Sequence, residues 1–278
     1  MDEVEFYLKD LASRFKHIDK SKYYLSYSGG KDSHFLYWFI KEYLHDDQIE
    51  IVSVNTYMEH QGIRKRMYKY ADTILLPKMK PFKIKEKYGS PCFSKAQDTA
   101  IFEYQNGNRA NYVMKQINQE YSAGFNLNNK AKKLLLENKL HRISPLCCQY
   151  LKKEPFNEYA KKTGKKPIMG IRAKESSRRS LVYKSCFTKD KKFTPIHDLS
   201  DELLEKIYKK YNIEIPEIYQ YINRTGCAGC PYGSWKGETK KELDLLPDNQ
   251  RRFVVEYFRE SYDVLGIDYR HKQERLEI

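Results

Sequence analysis

The sequence predicts an α/β fold, a doubly wound and mostly parallel sheet, and three observations predict it. Short apolar runs of strand length recur at Tyr23–Tyr27, Ile49–Asn55, Thr73–Pro77 and Pro167–Ile171. Stretches of helical periodicity separate them, and the first run stops abruptly at a glycine pair, Gly29 and Gly30. Strand, helix, strand, helix, strand at this spacing is the pattern of a parallel sheet whose ligands bind at the carboxyl ends of the strands.

The elements follow in order. Val4, Leu8, Leu11 and Phe15 fall on one helical face, so the acidic start reads as an amphipathic helix and not as a signal peptide. After the first strand, the apolar block Ser33–Ile40 makes a helix from about Asp32 to Leu44. The second strand follows, then a basic helix over Gln61–Tyr70, then a third strand closed by Pro77. From Phe82 to Leu140 the periodicity is helical and the composition polar, with a turn at Tyr88–Cys92 and a loop at Tyr121–Asn129. This stretch reads as an inserted helical segment, either a lid facing substrate or a structural prop. The strand at Pro167–Ile171 runs into Arg172–Arg179. Ser200 is placed to cap a helix over Leu199–Tyr211, with Asp201 and Glu202 at its positive end. A last helix over Gln250–Leu265 is built on Phe253, Val254, Tyr257 and Phe258.

Composition narrows the partners. The 278 residues suffice for a sizeable core, and 51 Lys and Arg against 37 Asp and Glu leave a net charge of +14. Such a surplus favours polyanions, nucleotides or nucleic acid, although a lysine-rich solvated surface accounts for it equally. Lys130–Lys133 and Lys161–Lys166 hold several lysines each without the aromatic interleaving of a dedicated nucleic-acid module. No run of eighteen apolar residues exists, so no membrane partner is expected and the reading is cytoplasmic. In a reducing compartment the six cysteines point to metal or catalysis before disulfides.

The hexapeptide Ser28-Gly29-Gly30-Lys31-Asp32-Ser33 carries the first chemical signal. Two glycines allow positive φ and close approach to an anion, exposed N–H groups point at it, and Lys31 adds a charge at a helix N-terminus. Neither the Walker pattern nor a G-x-G-x-x-G fingerprint is present. The hexapeptide resembles the PP-loop of the ATP pyrophosphatase superfamily. That resemblance implies a bound adenine nucleotide and cleavage of ATP between its α and β phosphates, which activates a substrate as an adenylate. Ser28, Gly29, Gly30 and Ser33 would cradle phosphates and Lys31 would neutralise developing charge. Asp32 would assist through Mg2+ or by fixing the loop. The strand-end rule puts Asn55 and Thr56 at the same crevice.

The second signal is Cys147-Cys148 with Cys227-Ala228-Gly229-Cys230. A C-x-x-C and a partner cluster complete four-coordination for either a zinc ion or an iron–sulfur cluster, and composition does not separate the two. These segments are similar to those that hold a 4Fe-4S cluster in assimilatory adenylyl-sulfate reductases, of the phosphoadenosine phosphosulfate (PAPS) reductase family. Gly170-Ile171-Arg172, with Glu175, Ser176 and Arg179, resembles that family's G-x-R-x-x-x-S-x-x-R. The resemblance spans Tyr23 to Gly233. It implies an adenine nucleotide alpha hydrolase-like fold, a clamp of Arg172 and Arg179 aided by Gly170 and Ser176, and cluster ligands at Cys147, Cys148, Cys227 and Cys230, with zinc as the fallback. If Arg172–Arg179 is helical, Arg172, Ser176 and Arg179 share a face.

Three departures matter. Cys230 is the last cysteine, so the C-terminal thiol that attacks sulfate in those reductases is missing. Asn55 stands where the family has aspartate, and the 82–140 stretch is longer than those reductases need. The pattern is closer to the branch that includes the sulfurtransferases of DNA phosphorothioation. It implies ATP-dependent adenylylation and sulfur transfer to an acceptor such as nucleic acid, with a sulfur-donor protein as partner. The alternatives are a sulfonucleotide reductase using Cys92 or Cys186, and a catalytically silent nucleotide-binding subunit with a structural metal site. The implied organisation is residues 1–81 as the first half of a nucleotide-binding domain, 82–140 as an insertion, 141–235 as the remainder with the cysteines, and 236–278 as a helical extension.

Overall fold

Asp2 accepts the Glu5 N–H at 2.8 Å and starts helix α1 (Glu3–Lys16), whose buried residues Val4, Tyr7, Leu8, Leu11 and Phe15 form one apolar face. The computed structural model describes residues 2–122, 126–173, 183–222 and 226–270, with backbone alone for Trp235 and Lys236. The chain forms two compact units: Met1–Asn55, Gly62–Leu76 and Pro155–Tyr219 make the first, and Thr56–Gln61, Pro77–Glu154 and Gln220–Ile278 the second.

A four-stranded parallel sheet organises the first unit, with strands β1 (Tyr23–Ser26), β2 (Glu50–Val54), β3 (Thr73–Leu75) and β4 (Lys166–Ile168) in the spatial order β3-β2-β1-β4. This is the α/β architecture the strand spacing predicts. Leu25 pairs with Ile51 on one side and with Ile168 on the other, and all three are fully buried. Helices α2 (Lys31–Trp38), α3 (Gln61–Tyr70), α8 (Glu154–Thr163) and α9 (Asp201–Lys210) accompany the sheet. The long helix expected after the loop changes geometry at Phe39–Tyr43, a π turn in which the Phe39 and Tyr43 rings stack at 5.2 Å. Beyond Ile168 the strand expected to reach Ile171 leaves the sheet, and the Met169 N–H donates to the Phe193 carbonyl at 2.8 Å.

β1 lies between β2 and β4, so successive connections run outward from it in opposite directions. The carboxyl ends of β1 and β4 therefore flank a topological switch point, where an open α/β sheet offers its ligand crevice.

The described part of the second unit is helical: α4 (Pro81–Tyr88), α5 (Lys95–Gln105), α6 (Asn111–Asn118), α7 (Asn129–Leu136), α10 (Glu238–Leu245) and α11 (Asp248–Leu265). α11 serves two cores. Its Val254, Tyr257, Phe258 and Tyr262 pack with Met58, Ile84, Cys147, Leu151, Ala228 and Leu243, whereas Val264 and Leu265 lie against Cys92, Ile101, Val113, Ile117 and Leu135. Residues of the 82–140 and 236–278 stretches thus share both cores. No helix among the described residues is long and apolar enough to cross a membrane.

Candidate nucleotide loop and cysteine centre

The loop after β1 is shaped by Gly29, at φ +74°, where a side chain would meet the Ile63 carbonyl oxygen and Cγ2 at 3.0 Å and Met67 Cγ at 3.1 Å. Only glycine fits this left-handed backbone pressed against α3. Gly30 is the N-cap of α2 and has no side chain to cap it, so the positive end of the helix faces the loop without a carboxylate or hydroxyl at the N-cap itself. The serines hold the loop from within. The Ser28 and Ser33 hydroxyls lie 3.0 Å apart, the Ser28 N–H donates to Ser33 Oγ at 3.2 Å, and the Ser33 hydroxyl donates to the Gly30 carbonyl at 3.1 Å.

Gly170, just past β4, packs so closely that a Cβ there would lie 3.0 Å from the Asp32 carbonyl carbon and the Ser33 nitrogen. Two residues on, Arg172 is buried, its Nε–H donating to Asp32 Oδ1 at 2.8 Å and an Nη1–H to Asp201 Oδ1 at 2.6 Å. Burial works against that guanidinium's charge, and the two carboxylates more than offset it, so its pKa is raised. Ser28, Gly29, Gly30, Lys31, Asp32, Ser33, Gly170 and Arg172 are therefore assembled at the switch point. Ser200 caps α9 by accepting the Leu203 N–H at 3.1 Å, which presents Asp201 to Arg172.

Asn55 and Thr56, expected at the same crevice, are hydrogen-bonded within their own units. The Asn55 amide donates to the Tyr68 hydroxyl at 2.8 Å, and its backbone N–H to the Leu75 carbonyl. Thr56 belongs to the second unit and gives its N–H and hydroxyl to the Glu59 carboxylate. Ser176 and Arg179 lie outside the described residues, as does most of the helix expected over Arg172–Arg179. Of the lysine runs, Lys165 pairs with Glu50 at 2.9 Å, and Lys130, Lys133, Lys161, Lys162 and Lys166 are exposed.

Several residues that the motifs did not single out support the loop. The Tyr208 hydroxyl donates to the Lys31 carbonyl at 2.7 Å, and the Lys31 N–H donates to the Tyr219 hydroxyl at 3.1 Å. The Lys31 ammonium also stands 4.9 Å above the Tyr219 ring. Tyr27 meets His34 Nδ1 at 2.9 Å, and burial first, then the charges of Arg66 and Lys69, push the His34 pKa down to about 3.

In the second unit Cys147, Cys148 and Cys227 belong to one core, and the charge of Cys230 reaches Cys147. Gly229, at φ +62°, makes that approach feasible, because a Cβ there would lie 2.4 Å from Val254 Cγ1. Its N–H donates to Glu242 at 2.9 Å. The hydrogen bond from Cys147 comes first in lowering the Cys148 pKa to about 6, with Lys152, Lys95 and Lys153 helping against burial. Lys152 also hydrogen-bonds Cys227; the interaction raises the Lys152 pKa, while burial outweighs the lysine and raises that of Cys227. Among the described residues no group of three or more His, Cys, Asp or Glu is arranged to hold a metal ion.

The Tyr257 hydroxyl is buried without a hydrogen-bond partner among the described residues, and its phenol lies within electrostatic reach of all four cysteines. Four thiols, the Lys152 ammonium and this orphaned donor are the polar groups that a sulfide-bearing group would meet in this core. Of the remaining cysteines, Cys92 is fully buried in the second unit and half-buried Cys186 lies in the first, and burial raises both thiol pKa values, as it does those of Cys227 and Cys230.

No protein-family model and no curated protein matches the chain. Among solved structures it is similar to a phosphoadenylyl-sulfate reductase from Candida auris in a phosphate complex, at 12% identity and a TM-score of 0.46 over 80% of this chain and 87% of that one. It is also similar to the NH3-dependent NAD synthetase of Campylobacter jejuni in complex with nitrate, at 11% identity and a TM-score of 0.40 over 94% of both chains. A third similarity is to the U34-tRNA thiolase NcsA of Methanococcus maripaludis with its 4Fe-4S cluster, at 12% identity and a TM-score of 0.41 over 98% of this chain and 79% of that one.

Proposed function

We propose that this chain is an ATP-dependent sulfurtransferase of the PP-loop type. The observation that carries the reading is the loop itself: a helix start at Gly30 whose N-cap residue carries no side chain, a glycine backbone at Gly29 that no other residue fits, and Arg172 fixed against Asp32 beside it. Such a site suits a polyphosphate, with N–H groups and Lys31 on the phosphate oxygens. In the reaction an acceptor oxygen attacks the α-phosphorus of ATP. The α–β P–O bond breaks, pyrophosphate leaves, and the acceptor's proton passes to solvent. A sulfur nucleophile from a donor protein then displaces AMP from the adenylylated acceptor.

Lys31 neutralises the charge that grows on the leaving pyrophosphate. Arg172 holds Asp32 in place and keeps a cation at the mouth of the crevice; Asp32 is the residue that would carry Mg2+. A 4Fe-4S cluster held by Cys147, Cys148, Cys227 and Cys230 would supply or relay sulfur. Nucleic acid as acceptor is supported by the net charge of +14 and by a groove of about 600 Å³ on α11 lined by Lys85, Arg251, Arg252 and Arg259, with Glu256 and Glu260.

Titration calorimetry with ATP tests the reading. Wild type should bind, and Lys31→Ala should bind at least tenfold more weakly while melting normally. Equal affinity in the two proteins removes the loop from the account.

A further inference from the structure

We infer that Arg66 is a ligand of the nucleotide's phosphate chain, reaching the site from α3; this rests on the nucleotide reading of the loop. Arg66 is 5% exposed, and its Nε and Nη1 have no hydrogen-bond partner among the described residues. Its Nη2 donates to the Glu214 backbone carbonyl. The Glu214 carboxylate is engaged elsewhere, by the Tyr70 hydroxyl at 3.2 Å and the Lys69 ammonium at 3.9 Å. A buried guanidinium held by a carbonyl, with two nitrogens orphaned, is a costly arrangement that an anion offsets.

The position points to the loop. α3 touches Gly29 through Ile63 and Met67, and Arg66 follows Ile63 by three residues, so the two lie on one helical face. The Arg66 charge is felt by Tyr27, His34 and Tyr208. These bracket the loop: Tyr27 precedes Ser28, the His34 N–H donates to the Gly30 carbonyl at 2.9 Å, and Tyr208 holds the Lys31 carbonyl. His34 is kept neutral there, so it offers Arg66 no competing cation. Guanidinium N–H groups select anionic oxygen over the neutral edge of a base, and the outer phosphates of a nucleoside triphosphate carry the most charge. Arg66 therefore distinguishes triphosphate from monophosphate.

The test compares the affinities of AMP, ADP, ATP and inorganic tripolyphosphate for wild type, Lys31→Ala, Arg66→Lys and Arg66→Met. The expected result for Arg66→Met is unchanged AMP binding and a loss that grows with phosphate number to tenfold or more for ATP, with Arg66→Lys between it and wild type. Wild-type affinity for ATP in Arg66→Met overturns the inference, and so does an equal loss for all three nucleotides, which marks a structural role. If Arg66→Met does not fold, the Nε resonance of Arg66 in ¹⁵N-arginine-labelled wild type decides: it should move on addition of tripolyphosphate, and a fixed resonance overturns the inference. Loss in Lys31→Ala without loss in Arg66→Met leaves the loop reading standing and removes Arg66 alone. A wild type that binds neither ATP nor tripolyphosphate removes both.

Discussion

The Nε–H of Arg172 donates to Oδ1 of Asp32 at 2.8 Å, joining the segment after β4 to the loop after β1, 140 residues apart in sequence. The pair spans the switch point of the sheet and fixes the mouth of the crevice before any ligand arrives. Its outer end is anchored by Asp201, the first residue of α9.

Breaking that pair has a predictable cost. Arg172→Ala leaves Asp32 without its guanidinium, and a loss of about 2 kcal/mol is expected; Asp32 keeps some solvent and Asp201 is largely exposed, so the figure falls below that of a fully buried pair. Arg172→Lys should recover part of the stability but not the two-carboxylate fork. Urea unfolding of both variants measures this, and ATP affinity should fall in the same order.

Gly29→Ala should lower both stability and ATP binding, because alanine at φ +74° is strained and its Cβ meets the Ile63 carbonyl at 3.0 Å. The expected destabilisation is about 1–2 kcal/mol. Gly226→Ala is the control: among the described residues no atom beyond its chain neighbours lies within 4 Å of a Cβ there, and its melting temperature should match wild type.

Much of this was legible in the sequence, for local reasons. The four strands, the glycine turn and the Ser200 cap are each announced by a handful of adjacent residues. What was not legible depends on distance along the chain. Tyr208 and Tyr219 meet Lys31 from 177 and 188 residues away, and nothing near them marks a tyrosine as a loop support. Thr56 follows Asn55 directly yet belongs to the other unit, a division that strand spacing does not reveal. Arg66 left a readable trace. It shares the helical face of Ile63 and Met67, all three are buried, and a cation on an apolar face is a stronger signal than the basic character of the helix as a whole.

His34 gives the fold a pH dependence. Its folded pKa, about 3, lies below the ordinary histidine value of 6.5, so the unfolded chain binds the proton more tightly. Stability is full above pH 6.5 and is lost as pH falls toward 3; about 3 kcal/mol should be gone by pH 4. Chemical denaturation from pH 7.5 to 4 should show this slope in wild type and a shallower one in His34→Gln.

The cysteine centre makes its own prediction. Anaerobically purified protein should absorb broadly in the visible and contain acid-labile sulfide, and Cys227→Ser should lose both. Tyr257→Phe should retain the chromophore with a shifted reduction potential, because it removes the orphaned donor. Colourless wild-type protein containing zinc contradicts the iron–sulfur assignment.

The proposed reaction cleaves ATP between its α and β phosphates on the loop Ser28–Ser33. The most direct measurement is product analysis after incubation with ATP labelled separately at the α and γ positions. Labelled pyrophosphate is expected from the γ label and AMP or an adenylylated acceptor from the α label, both absent with Lys31→Ala. Release of ADP and inorganic phosphate would contradict it.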